Sequence, residues 1–127
     1  MIGYITLGTN DMARAAAFYD SLLAELGAKR LWDTERGIAW GASMDKPSLG
    51  LMKPYDGQPA TRGNGTMVAL VVKTPAQVDA IYRKALALGA SDEGPAGPRG
   101  DGGFYCGYFR DLDGNKLNVF CMPSGPG

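Results

Sequence analysis

A chain of 127 residues with 13 basic and 13 acidic side chains, 45% hydrophobic residues and no histidine is long enough for one domain with its own core. A formal net charge of zero and a pI near 6.2 argue against recognition by bulk electrostatics, so neither nucleic acid nor an anionic membrane is expected as a partner. The missing histidine excludes a Ser-His-Asp triad, a Cys-His pair, an imidazole general base and any histidine metal ligand.

In chain order, Ile2 to Leu7 reads as a short strand with Ile5 and Leu7 on one side and Tyr4 and Thr6 on the other. Thr9, Asn10 and Asp11 then offer capping oxygens to a helix. Met12, Ala15, Ala16, Tyr19, Leu22, Leu23 and Leu26 recur at helical spacing, and Gly27 stands where a left-handed cap ends such a helix. Three strand candidates follow at Lys29 to Asp33, Ile38 to Ala42 and Leu49 to Lys53. The stretch Pro54 to Gly65 has no periodicity and reads as a linker.

The pattern then begins again. Met67 to Val72 is a strand, and Thr74-Pro75 is a helix start with proline at its tolerated first position. Val78, Ile81, Tyr82, Ala85 and Leu86 form the apolar face, which Gly89 closes. A poorly defined strand near Ala90 to Glu93 precedes the strands Phe104 to Arg110 and Lys116 to Met122, joined by the turn Asp111 to Asn115. The tail Pro123 to Gly127 reads as frayed.

Leu26-Gly27-Ala28 recurs as Leu88-Gly89-Ala90, and Phe18-Tyr19 is echoed by Ile81-Tyr82. Such a repeat marks a supersecondary unit that packs against its own copy. The predicted fold is therefore α+β. It is one domain of two tandem βαβββ modules, about 1–53 and 66–122, joined by the linker 54–65. The modules build a curved mixed sheet with a concave ligand cup and with helices on its outer side.

The segments Thr6-Leu7-Gly8-Thr9-Asn10-Asp11, Ala17-Phe18-Tyr19-Asp20, Gly97-Pro98-Arg99 and Phe109 to Leu117, in this order and spacing, resemble the vicinal oxygen chelate superfamily. That superfamily includes glyoxalase I, fosfomycin- and bleomycin-resistance proteins and extradiol dioxygenases. The resemblance spans about residues 2 to 122 and departs from the family where Leu112 replaces the usual turn proline. It implies a homodimer. In metal-dependent members it also implies a divalent cation held by His, Glu or Gln. Those ligand positions fall here on Tyr4, Met67, Asn118 and, less well aligned, Gly50 or Met52. Phenol, thioether and amide are poor ligands for Zn, Ni or Mn. The expectation is a protein with no metal and no cofactor that binds a small molecule, for example to sequester an antibiotic or toxin. The alternative is a glyoxalase-type lyase or isomerase acting through Tyr4 and Asn118, or through an unrecognised metal site.

The candidate ligand-binding residues are Tyr4, Thr6, Trp40, Met67, Arg99, Tyr105, Asn118 and Phe120. No catalytic residue is assigned. Tyr4 is a pocket wall or a phenolic acid/base, and a phenol pKa near 10 favours the wall. Met67 is a packing residue or, on a ligand-facing surface, a source of adaptable apolar contacts. Asn118 orients a polar group or is a satisfied core amide. Alternation puts Thr6 with Tyr4 and Phe120 with Asn118, but it does not orient Trp40 or Tyr105. The run Gly94 to Gly103 lacks the Gly-Lys-Ser/Thr ending of a phosphate loop and reads as a mobile loop at the pocket mouth, with Arg99 meeting an anionic ligand, an acidic neighbour or, more commonly for a loop charge, solvent. Cys106 and Cys121 are too few for a secreted disulfide framework, although their hairpin leaves a strained cross-strand bridge open, and both read as packing residues. The N-terminus has no signal-peptide pattern, no apolar stretch approaches the roughly 18 residues of a membrane span, and a cytoplasmic location is expected.

Overall fold

The structure, a computed structural model, describes residues 1–122. The expectation for the tail 123–127 lies outside them. The chain divides into two compact units, Met1–Arg62 and Gly63–Gly127. Each has the order strand, helix, three strands, with β1 Tyr4–Gly8, α1 Met12–Ala24, β2 Lys29–Asp33, β3 Gly37–Gly41 and β4 Ser48–Met52 in the first. The second holds β5 Val68–Val71, α2 Pro75–Ala87, β6 Ser91–Arg99, β7 Phe104–Arg110 and β8 Lys116–Cys121.

The sheets have matching topologies, β1-β4-β3-β2 and β5-β8-β7-β6. In each, the first strand lies parallel to the last, while the remaining pairs are antiparallel. A parallel pair requires a crossover, and the helix supplies it.

Both helices begin and end as their residues dictate. Asp11 caps α1 by accepting from the Arg14 amide at 3.1 Å. Thr74 and Gln77 form a reciprocal capping box on α2, with Pro75 in the first turn. Gly27 at φ 73° and Gly89 at φ 106° take the left-handed conformation that the repeated Leu-Gly-Ala predicts. In both copies the alanine amide then reaches back five residues, Ala28 to the Leu23 carbonyl and Ala90 to the Ala85 carbonyl.

In the first unit the core forms between α1 and one face of the sheet. Ala15, Ala16, Tyr19, Leu22 and Leu23 are buried as expected, and Phe18 joins them. The Phe18 ring stands edge-on to Tyr19 at 5.0 Å. Ile38, Trp40, Leu49, Leu51 and Leu7 bury the sheet side. Trp40 packs on Tyr19 at 5.7 Å and donates its indole N–H to Asp20 at 2.8 Å. Arg30 clamps the same carboxylate through Nε at 2.9 Å and Nη2 at 2.7 Å. These donors, Arg30 foremost, hold the Asp20 carboxyl below its ordinary value of 3.8. A depressed folded-state value means this stabilisation is complete above the unfolded value and is lost as pH falls through the folded one. Thermal midpoints measured between about pH 5 and about pH 2 should therefore fall less steeply for Asp20→Asn than for the parent. Parallel curves would remove Asp20 from the acid response.

The second unit packs Val78, Ile81 and Ala85 of α2 against Phe109, Leu117, Val119 and Cys121. Here the structure corrects one expectation. The glycine-rich run up to Arg99 is not a mobile loop but most of β6, paired with β7 from Ser91↔Arg110 to Arg99↔Phe104. The register slips twice, between Asp92 and Gly94 and between Gly94 and Gly97. Pro95 and Pro98 lack the amide a ladder needs, and they are tolerated because β6 lies at the sheet edge. The cross-strand cysteine bridge is also excluded. Cys106 lies opposite Phe120, whereas Cys121 lies opposite Tyr105, so the two thiols point to opposite faces of the sheet. Both are free and buried.

Candidate functional site

Each sheet has one face under its helix and one face that its helix leaves open. In the first unit the open face follows from β1, where Leu7 is buried and Tyr4 is 64% exposed. Register adds Gly50 and Met52 of β4 beside Thr6 and Gly8, with Gly37 and Ala39 of β3 next to them. At one end of this face lies a cavity of about 500 Å³ lined by Thr6, Met52, Arg36, Lys53, Tyr55 and their neighbours. The segment after β4, read as a linker, is tied down there. Asn10 donates to the Ala60 carbonyl at 3.0 Å and accepts from its amide at 2.7 Å. The Arg36 guanidinium lies 5.4 Å from the centre of the Tyr55 ring.

In the second unit Leu117, Val119 and Cys121 turn towards α2, so Lys116, Asn118 and Phe120 share the opposite face. Their cross-strand partners Arg110, Tyr108 and Cys106 join them, followed by Phe104. On β5, Ala69 and Val71 stand beside Asn118 and Phe120, and Met67 precedes them at the same alternation. Phe104 and Phe120 pack ring against ring at 5.5 Å. Asn118 is buried and donates to the Gly107 carbonyl at 3.3 Å. The Arg99 guanidinium and the Lys116 ammonium lie 5.7 and 5.3 Å from the centre of the Tyr108 ring. A hydrogen bond with Cys106 and burial push the Tyr108 phenol up, against a smaller opposing pull from Arg99.

Met67, Arg99, Asn118 and Phe120 thus come to one open face, and Tyr4 and Thr6 come to the other. Trp40 and Tyr105 do not. Trp40 is only 2% exposed beneath α1. Tyr105 faces α2 and donates its hydroxyl to Asp79 at 2.7 Å, and this carboxylate raises its pKa. Both placements correct the expectation of two cup residues. Large side chains go where the helix can cover them, while Gly37, Ala39 and Gly41 fill the other side of β3. Tyr108, Lys116 and Phe104 were missed as site residues. Register across the Asp111 to Asn115 turn could have found them, since it sets Tyr108 against Asn118 and Cys106 against Phe120.

The four positions that the resemblance assigns to a metal carry a phenol, a thioether, an amide and either glycine or a second thioether. Only the amide oxygen is an ordinary donor to a hard cation, and one such oxygen beside a neutral phenol and a thioether does not fit the divalent site of the metal-dependent members. Among the described residues no three His, Cys, Asp or Glu side chains group as a metal site.

Paired βαβββ units with one open sheet face each define an α+β protein of the vicinal oxygen chelate class. The family model described as Glyoxalase/Bleomycin resistance protein/Dioxygenase superfamily matches residues 1–119, and the chain belongs to that superfamily. A solved glyoxalase/bleomycin resistance protein from Albidiferax ferrireducens T118 is 32% identical with a TM-score of 0.87, the match covering 97% of this chain and 99% of that one. The fold is also shared with a lactoylglutathione lyase from Agrobacterium tumefaciens, at 21% identity, TM-score 0.70 and coverage of 98% and 95%. A fosfomycin resistance protein from Listeria monocytogenes is 20% identical with a TM-score of 0.70, at 95% and 92% coverage. No curated protein matches the chain. Among the described residues no helix is long and apolar enough to cross a membrane.

Proposed function

We propose that this protein binds a small aromatic or amphipathic molecule on its open sheet faces, without the divalent cation of the metal-dependent members. The observation that carries this reading is the open face of the second unit, where Phe104, Phe120, Tyr108 and Asn118 combine aromatic surface with a few placed polar groups. That is the usual composition of a small-molecule site. The lyase and fosfomycin-resistance names of the similar structures suggest metabolite turnover or drug resistance as settings for such binding. Turnover through Tyr4 and Asn118 is the weaker reading, because the Asn118 amide already donates within the sheet and Tyr4 stands exposed. The reading takes the two modules as one domain in a cytoplasmic homodimer, and the two free buried thiols agree with a reducing compartment.

The test is an amide-resolved NMR titration of the full chain with a set of neutral and charged aromatic fragments, alongside metal analysis of protein purified without chelator. Shifts grouped on Tyr108, Asn118 and Phe120 are the expected result. No shift with any fragment would overturn the binding reading, and stoichiometric Zn, Ni, Mn or Fe would overturn its metal-free part.

A further inference from the structure

The charged groups at the open face of the second unit are not balanced. Arg14, Arg30 and Arg110 each have a carboxylate partner, Asp11, Asp20 with Asp33, and Glu93 respectively. Arg99 and Lys116 are half-buried, lie close to one aromatic ring, and have no carboxylate partner among the described residues. Partly desolvated charge without a counter-charge is unfavourable and normally finds one.

Arg99 is nevertheless held in place. Its Nη1 donates to the Gly97 carbonyl at 2.9 Å and to the Pro98 carbonyl at 3.3 Å, and its Nη2 donates to the Pro95 carbonyl at 2.7 Å. Carbonyl oxygens orient a guanidinium without cancelling its charge. Three contacts also leave part of its five-donor fork unused. The guanidinium lies against the irregular edge strand, where a Cβ on Gly94 or Gly97 would come to an ordinary contact distance of 3.5 Å from its nitrogens. The cost of ordering the side chain has therefore been met before any ligand arrives.

Along β8 the same face grades from cationic to apolar. Lys116 stands at one end, Asn118 in the middle and Phe120, stacked on Phe104, at the other. Four residues of strand span roughly 13 Å, the length of a one- or two-ring aromatic molecule with a charged head.

We propose that this face recognises an aromatic carboxylate or similar small aromatic anion, with the anionic head between Arg99 and Lys116 at the Tyr108 ring and the aromatic body against Phe104 and Phe120. The inference rests on the reading of this face as a ligand site. The two are separated by titrating 2-naphthoate and its neutral counterpart 2-naphthamide into the full chain. Naphthoate is expected to bind about tenfold tighter than the amide at low salt, the equivalent of one charge-assisted contact, and to lose that advantage as KCl is added. Arg99→Gln and Lys116→Gln should each weaken naphthoate about five- to tenfold and leave naphthamide unchanged. Because Arg99 also ties β6 together, circular dichroism checks its folding, and Lys116→Gln gives the same test without disturbing that strand. Equal binding of the two probes, or naphthoate affinity indifferent to both variants, overturns the anion inference while the ligand site stands. Failure of both probes to bind overturns the two together.

Discussion

Trp40→Ala is expected to cost about 3–5 kcal/mol of folding stability, the range for truncating a large buried aromatic. The indole is nearly inaccessible, packs on Tyr19 of α1, and donates to the Asp20 carboxylate that Arg30 also clamps. Removing it leaves a cavity between helix and sheet and takes one donor from Asp20. Trp40→Phe removes the indole N–H together with the pyrrole part of the ring, so it should cost about 2–3 kcal/mol, from a lost hydrogen bond to a carboxylate and the small cavity left behind. Urea unfolding followed by circular dichroism measures both. The pair also checks the reassignment of Trp40 from ligand contact to core. Trp40→Phe should leave the affinity for 2-naphthoate unchanged, and a loss of affinity with stability intact would return Trp40 to the binding surface.

The second large effect is expected at Asp111. Its Oδ1 accepts from the amides of Asp113 and Asn115, and its Oδ2 accepts from the Asn115 side-chain amide, all at 2.9 Å. Asp111 and Asn115 are buried, so Asp111→Ala strips partners from groups that water reaches poorly. About 2–4 kcal/mol follows from several charge-assisted bonds lost together. Asp111→Asn retains the Oδ1 contacts but sets one amide against another at Asn115, and should lose about half as much. The change would reach the open face of the second unit, because this turn sets the register that brings Tyr108 opposite Asn118. Hydrogen exchange at the Tyr108 and Asn118 amides should accelerate in Asp111→Ala. Protection equal to the parent would mean that strand pairing alone holds the register.

Much of the fold was legible because its signals are local. The caps at Asp11 and Thr74, the left-handed Gly27 and Gly89, and the turn from Asp111 each involve residues within five positions of one another, and β2 and β7 occupy the predicted spans. Where the local signal was ambiguous, the reading failed. Glycine and proline in β6 looked like a loop, since nothing nearby shows that β7 supplies hydrogen-bond partners. The β7 run Phe-Tyr-Cys-Gly-Tyr-Phe-Arg has no alternation, so the facing of Tyr105 was invisible. In β3 every position is buried, and apolar character could not distinguish the two sides of Trp40.

By itself, the sequence determined the duplicated βαβββ pattern, the superfamily, and the phenol, thioether and amide that stand at Tyr4, Met67 and Asn118. These depend on residue identity and short spacings. Only the tertiary structure decided which side chains share a face. It sent Trp40 and Tyr105 to the helices, gathered Arg99, Lys116 and Tyr108, and separated Cys106 from Cys121. Facing follows register between strands far apart in the chain, and one bulge between Arg30 and Trp32 or two in β6 change it. An electrically neutral chain with no histidine holds two cations on one sheet face, Arg99 and Lys116, that have no carboxylate partner among the described residues, and no count of residues could have located them.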